Sequence, residues 1–272
     1  ARLSSNSKSV KRFQQEAKAA KLLKHPNIIT VHDFGILPNG TAFLVMDYGA
    51  GDSLAAYIRN NGPLSAEECI PLLKQIASAL DHAHSQGVLH RDLKPSNVMV
   101  KSDSQGELSG KLVDFGIAKM MSSDSGSDPH PQLTATGETF GSPAYMSPEQ
   151  CQGIELDQRS DLYSFGCLMY EALTGKPPYE GANSLEVIFK HMNDAVPPLT
   201  VPTSPKRVGE GLSGIFQKCM QKDRDLRYAD ARTMLSDLTS LEEGGTVKGS
   251  SALPFRVGFQ KLSRRKHIKL EV

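Results

Sequence analysis

Apolar residues recur at helical spacing near the start of the chain and again from about position 65. Residues 8–24 repeat them at i, i+3 and i+7, which predicts an amphipathic helix. The string Ser65-Ala66-Glu67-Glu68 has the form of a capping box and predicts a second helix that runs to about Ser85. Pro71 lies inside this segment, and because an interior proline costs about 3 kcal/mol, we expect a bend or a later start.

Helical periodicity also marks the second half of the chain. Residues 161–174 are apolar on nearly every side, which predicts a buried central helix. Amphipathic patterns at 212–220 and 234–241 predict two further helices. Residues 122–137 are instead rich in Ser, Asp, Gly and Pro, a composition typical of a loop.

Strand-like runs are confined to the first half of the chain. Residues 28–36 and 41–48 form one pair, and Pro38-Asn39-Gly40 between them is a hairpin signal. Residues 98–101 and 111–115 form a second pair around a polar turn. A few strands followed mostly by helices predict an α+β fold with two lobes, a small one that carries a sheet and a large helical one.

This order of elements divides the chain into three parts. Residues 1–48 are expected to form an incomplete small lobe with one helix and two strands, and residues 49–243 the large lobe. From Gly244 the sequence is rich in Gly and Ser and then in Lys and Arg, which predicts a flexible basic linker over 244–272.

Composition excludes several classes of function. The net charge of +1 over 272 residues gives no general attraction to nucleic acid, and the eight histidines show no metal-ligand spacing. The chain has no apolar run of membrane-spanning length and no secretory signal at its start. Its cysteines form no disulfide framework, which predicts a reducing, cytoplasmic compartment. They are Cys69, Cys151, Cys167 and Cys219.

Three short strings carry the chemistry. They are His90-Arg91-Asp92-Leu93-Lys94-Pro95-Ser96-Asn97, then Asp114-Phe115-Gly116, then Ser147-Pro148-Glu149. In this order and spacing they match the catalytic loop, the metal-binding turn and the end of the activation segment of protein kinases. From about Val10 to Leu241 the chain resembles the serine/threonine protein kinases, closest to the bacterial receptor-type branch.

The resemblance implies phosphoryl transfer from ATP with Mg²⁺. Asp92 would accept the proton of the attacking hydroxyl, and Lys94 would place a cation beside the phosphate that moves. Asn97 and Asp114 offer the oxygen ligands that Mg²⁺ prefers. A lysine two residues after the catalytic aspartate is typical of the serine/threonine kinases, so we expect a serine or threonine acceptor.

The adenine of ATP is expected at a hinge between the lobes. Met46-Asp47-Tyr48-Gly49 resembles the segment that contacts the purine through its backbone, which makes Met46 the gatekeeper beside Asp47 and Gly49. Met99 is expected under the purine, although an apolar residue in a strand is equally consistent with a plain core position.

One half of the expected ATP site is missing from the sequence. Glu16 matches the family's helical glutamate, whose partner is a lysine on a preceding strand. Neither that lysine nor the glycine-rich phosphate loop precedes it, so we expect a kinase domain truncated at its N-terminus. Lys8, Lys11 and Arg12 are interpreted as the solvated face of the helix rather than as replacements.

Several residues are assigned structural roles by the resemblance. Glu149 is expected to form a buried ion pair with Arg227, and Asp161 to brace the backbone of the catalytic loop. His90 is expected to stack near Phe115 in the core.

Regulation is expected in the segment between Asp114 and Glu149. Thr134 and Thr136 lie where bacterial relatives autophosphorylate, and Arg91 offers a guanidinium to a phosphothreonine. The alternative is a polar loop with incidental threonines. Ser142 is expected to orient the acceptor hydroxyl near Asp92.

The leading hypothesis is a serine/threonine protein kinase that acts on a protein substrate and forms a dimer if it phosphorylates itself. The alternative is a pseudokinase that docks partners without chemistry, and a small-molecule phosphotransferase is a weaker third. Nucleic acid is not expected as a partner. A membrane is expected only if the full-length protein continues past Val272.

Overall fold

Two small antiparallel sheets precede a mostly helical region in the computed structural model, which describes residues 7–115, 142–201 and 204–247. The two-lobed α+β architecture predicted from the sequence is therefore confirmed. The elements are α1 (Ser7–Leu22), β1 (Val31–Ile36), β2 (Ala42–Met46), β3 (Asp52–Ser53), α2 (Leu54–Asn61), α3 (Ala66–Ser85), β4 (Val98–Ser102), β5 (Leu108–Leu112), α4 (Pro148–Gln152), α5 (Gln158–Thr174), α6 (Ser184–Asn193), α7 (Lys206–Cys219) and α8 (Ala231–Glu242).

The first sheet is the predicted hairpin of β1 and β2. Its turn closes with a hydrogen bond from Leu37 N–H to the carbonyl of Thr41, and Gly40 takes the left-handed φ of +79° that a glycine adopts without strain. Helix α1 packs on this hairpin, with the ring of Phe13 edge-on to Phe34 at 6.1 Å. The small cluster that results is distinct from the main core.

The second sheet has the order β3-β4-β5 and lies against α3. Strand β5 begins at Leu108, so the predicted polar turn is shorter and the predicted strand at 111–115 lies too late. The reason is that Leu108, Gly110 and Leu112 alternate inward, which the glycine conceals in a hydropathy pattern. A Cβ on Gly110 would lie 2.5 Å from Leu72 of α3, so glycine permits this close packing.

Helix α3 begins at Ala66 and continues through Pro71, so the expectation of a later start is wrong. Its capping box is complete, because Ser65 N–H donates to Glu68 and Glu68 N–H donates to the Ser65 hydroxyl. The cap and an extensively buried apolar face compensate for the stability lost with the backbone hydrogen bond that the proline removes.

Helix α5 is the predicted central helix and is buried on all sides. Gly166 faces α7 so closely that a Cβ there would lie 2.9 Å from Cys219 Cβ. Neither α5 nor another helix among residues 7–115, 142–201 and 204–247 has the length and hydropathy needed to cross a lipid bilayer.

The connection between α1 and β1 packs on the core of the large lobe. Leu23 and Ile28 belong to the large core, and Ile29 N–H donates to the carbonyl of Leu112 in β5 at 2.9 Å. The connection from α1 to β1 is therefore attached to the large lobe, and only α1 and the hairpin form the separate small cluster.

The packed chain also extends past the boundary expected at Gly244. Val247 is buried in the main core, and a guanidinium N–H of Arg207 donates to the carbonyl of Gly245 at 2.7 Å. Residues 244–247 of the predicted linker thus continue the packed chain, and its remainder, 248–272, lies outside the described residues.

We expect the small cluster to be the least protected part of the fold. Amide protons of α1, β1 and β2 should exchange faster with solvent than those of α5, because a two-stranded sheet has too little buried surface for independent stability. Hydrogen-exchange mass spectrometry measures this directly. Equal protection of residues 8–48 and 161–173 would show that the expectation is wrong.

Candidate active site

The loop between α3 and β4 brings three of the predicted catalytic side chains together. Lys94 Nζ lies 2.9 Å from Asp92 Oδ2 and 3.3 Å from the hydroxyl oxygen of Ser142. Asn97 Nδ2 donates to the backbone carbonyl of Asp92 at 2.9 Å and to its carboxylate at 3.2 Å. A carboxylate, an ammonium, an amide and a hydroxyl thus meet at one point.

A short 3₁₀ turn sets the position of Asn97. Pro95 occupies its first position, where its missing N–H costs nothing. The backbone carbonyl of Asn97 then accepts from Val113 N–H at 3.0 Å. Asp114 follows directly, so this bond ties the catalytic loop to the predicted metal-binding turn.

Asp161 holds the backbone that carries Asp92. Its carboxylate accepts from the backbone N–H groups of His90 and Arg91, each at 2.8 Å, and lies 2.8 Å from His84 Nε2. Burial raises the pKa of this carboxyl, but the hydrogen bond and charge of His84 outweigh burial and hold the pKa below its usual value. Asp161 is therefore an ionised brace under the loop, in the place that the sequence predicted.

Two residues of the site have left-handed backbone conformations without being glycine. Arg91 has φ of +62° and Asp114 has φ of +57°. Such conformations cost of order 1–3 kcal/mol each in side-chain-bearing residues and persist only where surrounding contacts impose them. For Arg91, the bond of its N–H to Asp161 is one such contact.

The rings of His90 and Phe115 pack against each other, with centroids 4.7 Å apart and planes tilted by 39°. His90 Nε2 also lies 3.1 Å from the carbonyl of Val113. Burial lowers the pKa of this imidazole. A neutral ring is thus packed between the catalytic loop and the strand that leads to Asp114.

Ser142 is held by the 3₁₀ turn Pro143–Tyr145, which rests on α5. The hydroxyl of Tyr145 donates to Glu171 Oε2 at 2.5 Å, and the hydroxyl of Ser164 donates to the carbonyl of Tyr145 at 2.7 Å. We call the segment 142–145 the acceptor turn. Because both the hydroxyl and the backbone carbonyl of Tyr145 are bonded to α5, the turn is fixed and Ser142 lies next to Lys94.

Glu149 and Arg227 form the ion pair that the sequence predicted. Two guanidinium nitrogens lie 2.6 and 2.9 Å from the two carboxylate oxygens, and both side chains are buried. Burial raises the pKa of Glu149, but the bonds and charge of Arg227 outweigh burial and keep the pKa below its usual value. The pair fixes α4, which follows the acceptor turn.

Glu16 has a different partner from the one that the family pattern implies. Its carboxylate lies 2.9 Å from a guanidinium nitrogen of Arg91, and both side chains are about a quarter exposed (24% and 29%). Arg91 therefore pairs with Glu16, and its expected role toward a phosphothreonine stays a prediction. The pairing forms because α1 brings the Glu16 carboxylate within reach of the catalytic loop.

The predicted hinge residues differ in their surroundings. Met46 lines a small cavity together with Asp114 and Phe115. Gly49 lies against Met99, so closely that a Cβ there would be 2.9 Å from Met99 Cγ. The backbone N–H of Asp47 donates to Thr30, and its carboxylate binds His32 at 2.6 Å, so neither group is directed to a ligand.

Some predicted residues fall outside the described part of the chain. Gly116, Thr134 and Thr136 lie in the stretch 116–141, which the structure does not describe. The side chains of Lys8 and Arg12 are likewise outside it. Their assignments stay predictions.

The donor set fits Mg²⁺ better than a metal held by protein alone. Asn97 uses its Nδ2 toward Asp92, which leaves the amide oxygen for a cation, and Asp114 lines the small cavity beside Met46. No group of three or more His, Cys, Asp or Glu side chains that could hold a metal occurs among the described residues. Mg²⁺ commonly uses one or two protein oxygens and completes its coordination with phosphate oxygens and water.

Sequence reasoning missed three side chains that support the site. His84 bonds to Asp161, Tyr145 anchors the acceptor turn, and Lys222 binds the end of α6. His84 could have been found from its place on α3 one turn before the catalytic loop. Lys222 gave no signal, because it stands in a run of charged residues that resembles a solvated surface.

Comparison with known proteins agrees with this geometry. The model of the protein kinase domain family matches residues 2–238, and the chain belongs to that family, whose members use ATP and Mg²⁺. The kinase domain of PknI from Mycobacterium tuberculosis, solved as a double mutant, superimposes with a TM-score of 0.64 at 24% identity, covering 87% of this chain and 80% of that one. It shares the fold.

Curated relatives are named as serine/threonine protein kinases. Pkn3 of Myxococcus xanthus is 38% identical over 241 residues, which is 89% of this chain and 44% of that protein. The probable kinase PknB of Lactococcus lactis is 38% identical over 243 residues, 88% of this chain and 36% of that protein. PkaA of Streptomyces coelicolor is 38% identical over 250 residues, which is 92% of this chain and 43% of that protein. The chain thus spans less than half the length of these relatives.

Proposed function

We propose that this chain is the catalytic part of a serine/threonine protein kinase, which transfers the γ-phosphate of ATP to hydroxyl groups of proteins. One observation carries the proposal. Lys94 Nζ contacts both the carboxylate of Asp92 and the hydroxyl of Ser142, so a proton acceptor and a cation face the turn that would receive a protein acceptor. A module that only docks partners has no use for this arrangement.

Asp92 would act as the base. Its carboxylate accepts the proton of the serine or threonine hydroxyl while that oxygen forms its bond to the γ-phosphorus and ADP departs with the bridging oxygen. Lys94 balances the negative charge that gathers on the transferred phosphoryl oxygens. Asn97 keeps the base in place through its two hydrogen bonds to Asp92.

Asn97 and Asp114 would hold Mg²⁺ through an amide oxygen and a carboxylate. When bound, the ion neutralises phosphate charge and aligns the γ-phosphate with the acceptor. The backbone bond from Val113 N–H to the carbonyl of Asn97 holds Asn97 beside the residue that precedes Asp114.

The purine would lie between the hinge and β4, with Met99 on one side and Met46 at the rear. Because the N–H of Asp47 is already bonded to Thr30, the adenine would meet the carbonyl of Asp47 and the N–H of Gly49. The close contact of Gly49 with Met99 supports a role of Met99 as the wall of the pocket in addition to its core position.

The acceptor is a serine or threonine in a protein. Lys94, two residues after the base, supports this class, and so does the acceptor turn that holds Ser142 beside it. We place the reaction in the cytoplasm, because the four cysteines are free and buried as expected in a reducing compartment. Thr134 and Thr136 remain candidates for autophosphorylation between two copies.

The test is phosphate transfer by the full-length protein with radiolabelled ATP, Mg²⁺ and dephosphorylated casein. We expect labelled phosphoserine and phosphothreonine without phosphotyrosine, since the site is built like that of serine/threonine kinases. Micromolar binding of ATP without transfer to casein or to the kinase itself would favour the docking module. Label on tyrosine would contradict the acceptor class.

A further inference from the structure

Lys222 is a half-buried cation. It follows α7, and its ammonium forms no ion pair within 4.0 Å among the described residues, unlike Arg227 five positions later. Burial lowers the pKa of Lys222 to about 8, with the charge of Arg227 as a further contribution. A charge that is partly withdrawn from water in this way persists only where other groups stabilise it.

The groups that stabilise it lie at the end of α6. Lys222 Nζ donates to the carbonyl of His191 at 2.7 Å and lies 3.3 Å from the carbonyl of Lys190, two groups of the last turn. It also donates to the Tyr179 hydroxyl at 2.9 Å and lies over that ring at 4.5 Å from the centroid. A cation at a helix C-terminus satisfies free carbonyls and the negative end of the helix dipole.

His191 continues the connection toward the active site. Its imidazole is fully buried, and Nδ1 lies 2.9 Å from the hydroxyl of Tyr163, which is itself 3.4 Å from Lys222 Nζ. The ring also packs edge-on to Tyr179 at 4.9 Å. Lys222 and two tyrosines therefore determine where this imidazole sits.

The other side of His191 faces the acceptor turn. Burial and the charge of Lys222 lower the pKa of His191 to about 3. The backbones of Pro143 and Ala144 lie close enough to the ring to oppose part of this lowering. Its Nε2 is buried and has no hydrogen-bond partner among the described residues. The neutral ring therefore supports the turn by packing against it. Ser142, at the start of that turn, contacts Lys94.

We propose that Lys222 is a positioning residue for the acceptor turn, acting through the end of α6 and His191. Arg227 secures α4, which follows the turn in sequence, through Glu149. Lys222 secures α6, which packs on both the turn and α4. The expected kinetic effect of Lys222 rests on the proposed kinase function. The expected effect of Lys222 on the packing of the turn does not depend on that function.

The structural test compares two Lys→Met variants of this chain by hydrogen-exchange mass spectrometry. In Lys222→Met, amides of α6 and of residues 144–147 should exchange at least about 10-fold faster, because the last turn of α6 loses its donor. Lys218→Met is the matched control, since Lys218 also lies over a tyrosine ring, that of Tyr228 at 4.0 Å, one turn earlier. Exchange in α6 that is equal in the two variants would overturn the proposal.

The kinetic test uses the full-length protein with casein as acceptor. In Lys222→Met the KM for casein should rise about 10-fold with the KM for ATP unchanged, because a displaced turn misplaces the acceptor and leaves the nucleotide cleft intact. An equal rise of both constants, or none, would overturn the positioning role. If the unaltered protein transfers no phosphate, the proposed function fails, and hydrogen exchange alone decides whether Lys222 holds the turn.

Discussion

Phosphate transfer should fall by at least about 100-fold when Asp92 is replaced by Asn, because an amide cannot accept the proton of the acceptor hydroxyl. The substitution keeps the shape of the side chain, and an amide oxygen can still receive the hydrogen bond from Asn97 Nδ2. Loss of the carboxylate also removes the partner of Lys94 at 2.9 Å. The turnover number measured with casein and saturating ATP gives the effect.

Binding of ATP should be much less affected than turnover in the same variant. Asn97 and Asp114, the proposed magnesium ligands, are both retained, so the dissociation constant of ATP-Mg²⁺ should change by no more than a few fold, as calorimetry can show. Asp225→Asn is the control, because it makes the same chemical change on a carboxylate that is 77% exposed. Turnover equal to that of the control would remove Asp92 from the role of base.

The largest loss of stability is expected from Arg227→Met. The substitution keeps much of the aliphatic stem and leaves the Glu149 carboxylate buried without its bidentate partner, which costs about 3–5 kcal/mol of unfolding free energy. The hydroxyl of Ser160 would remain as a donor to Glu149 at 2.7 Å and could not replace a charge. Urea denaturation followed by circular dichroism at pH 7 measures the difference.

Acid should reduce this difference. In the unaltered protein the pKa of Glu149 is lower in the folded state than in the unfolded state. The ionised carboxylate therefore stabilises the fold above the pKa of an unfolded glutamate, about 4.3, and this stabilisation is lost as the pH falls. In Arg227→Met, burial alone would raise that pKa, and the folded state would take up a proton first and gain stability on acidification. The two proteins should therefore become more similar in stability between pH 7 and pH 4.

Arg224→Met serves as the comparison on the same segment. Arg224 lies 3.4 Å from Asp157 in a pair whose side chains are each 36% exposed, and exposed pairs contribute about 0–1 kcal/mol. If both variants lose the same small amount, the buried pair does not hold α4 in the way described.

Local motifs predicted the catalytic cluster because they fix backbone geometry over a few residues. Asp92, Lys94 and Asn97 lie within six positions, and the turn between them brings their side chains together wherever the loop is anchored. The brace by Asp161 and the pair of Glu149 with Arg227 followed from the family resemblance. Helix α5 was predictable because burial on every side leaves a continuous apolar pattern.

Contacts between distant segments could not be predicted in the same way. Glu16 and Arg91 are 75 positions apart, and their pairing depends on how α1 packs over the loop, which no local pattern encodes. Strand β5 was misplaced because Gly110 carries no side chain to mark an inward position. Lys222 resembles its solvated neighbours in the sequence, and only the tertiary fold half-buries it against the end of α6.

The left-handed backbones of Arg91 and Asp114 create a conflict between backbone strain and the retention of their side chains. Glycine at either position would relax the main chain and thereby favour the folded state, yet it would delete the guanidinium or the carboxylate. A search for more stable variants would thus be drawn to substitutions that remove either the ion-pair partner of Glu16 or a proposed magnesium ligand. Stabilising changes are better sought away from the catalytic loop, for example in α1 and its hairpin, where the small cluster leaves most room for improvement.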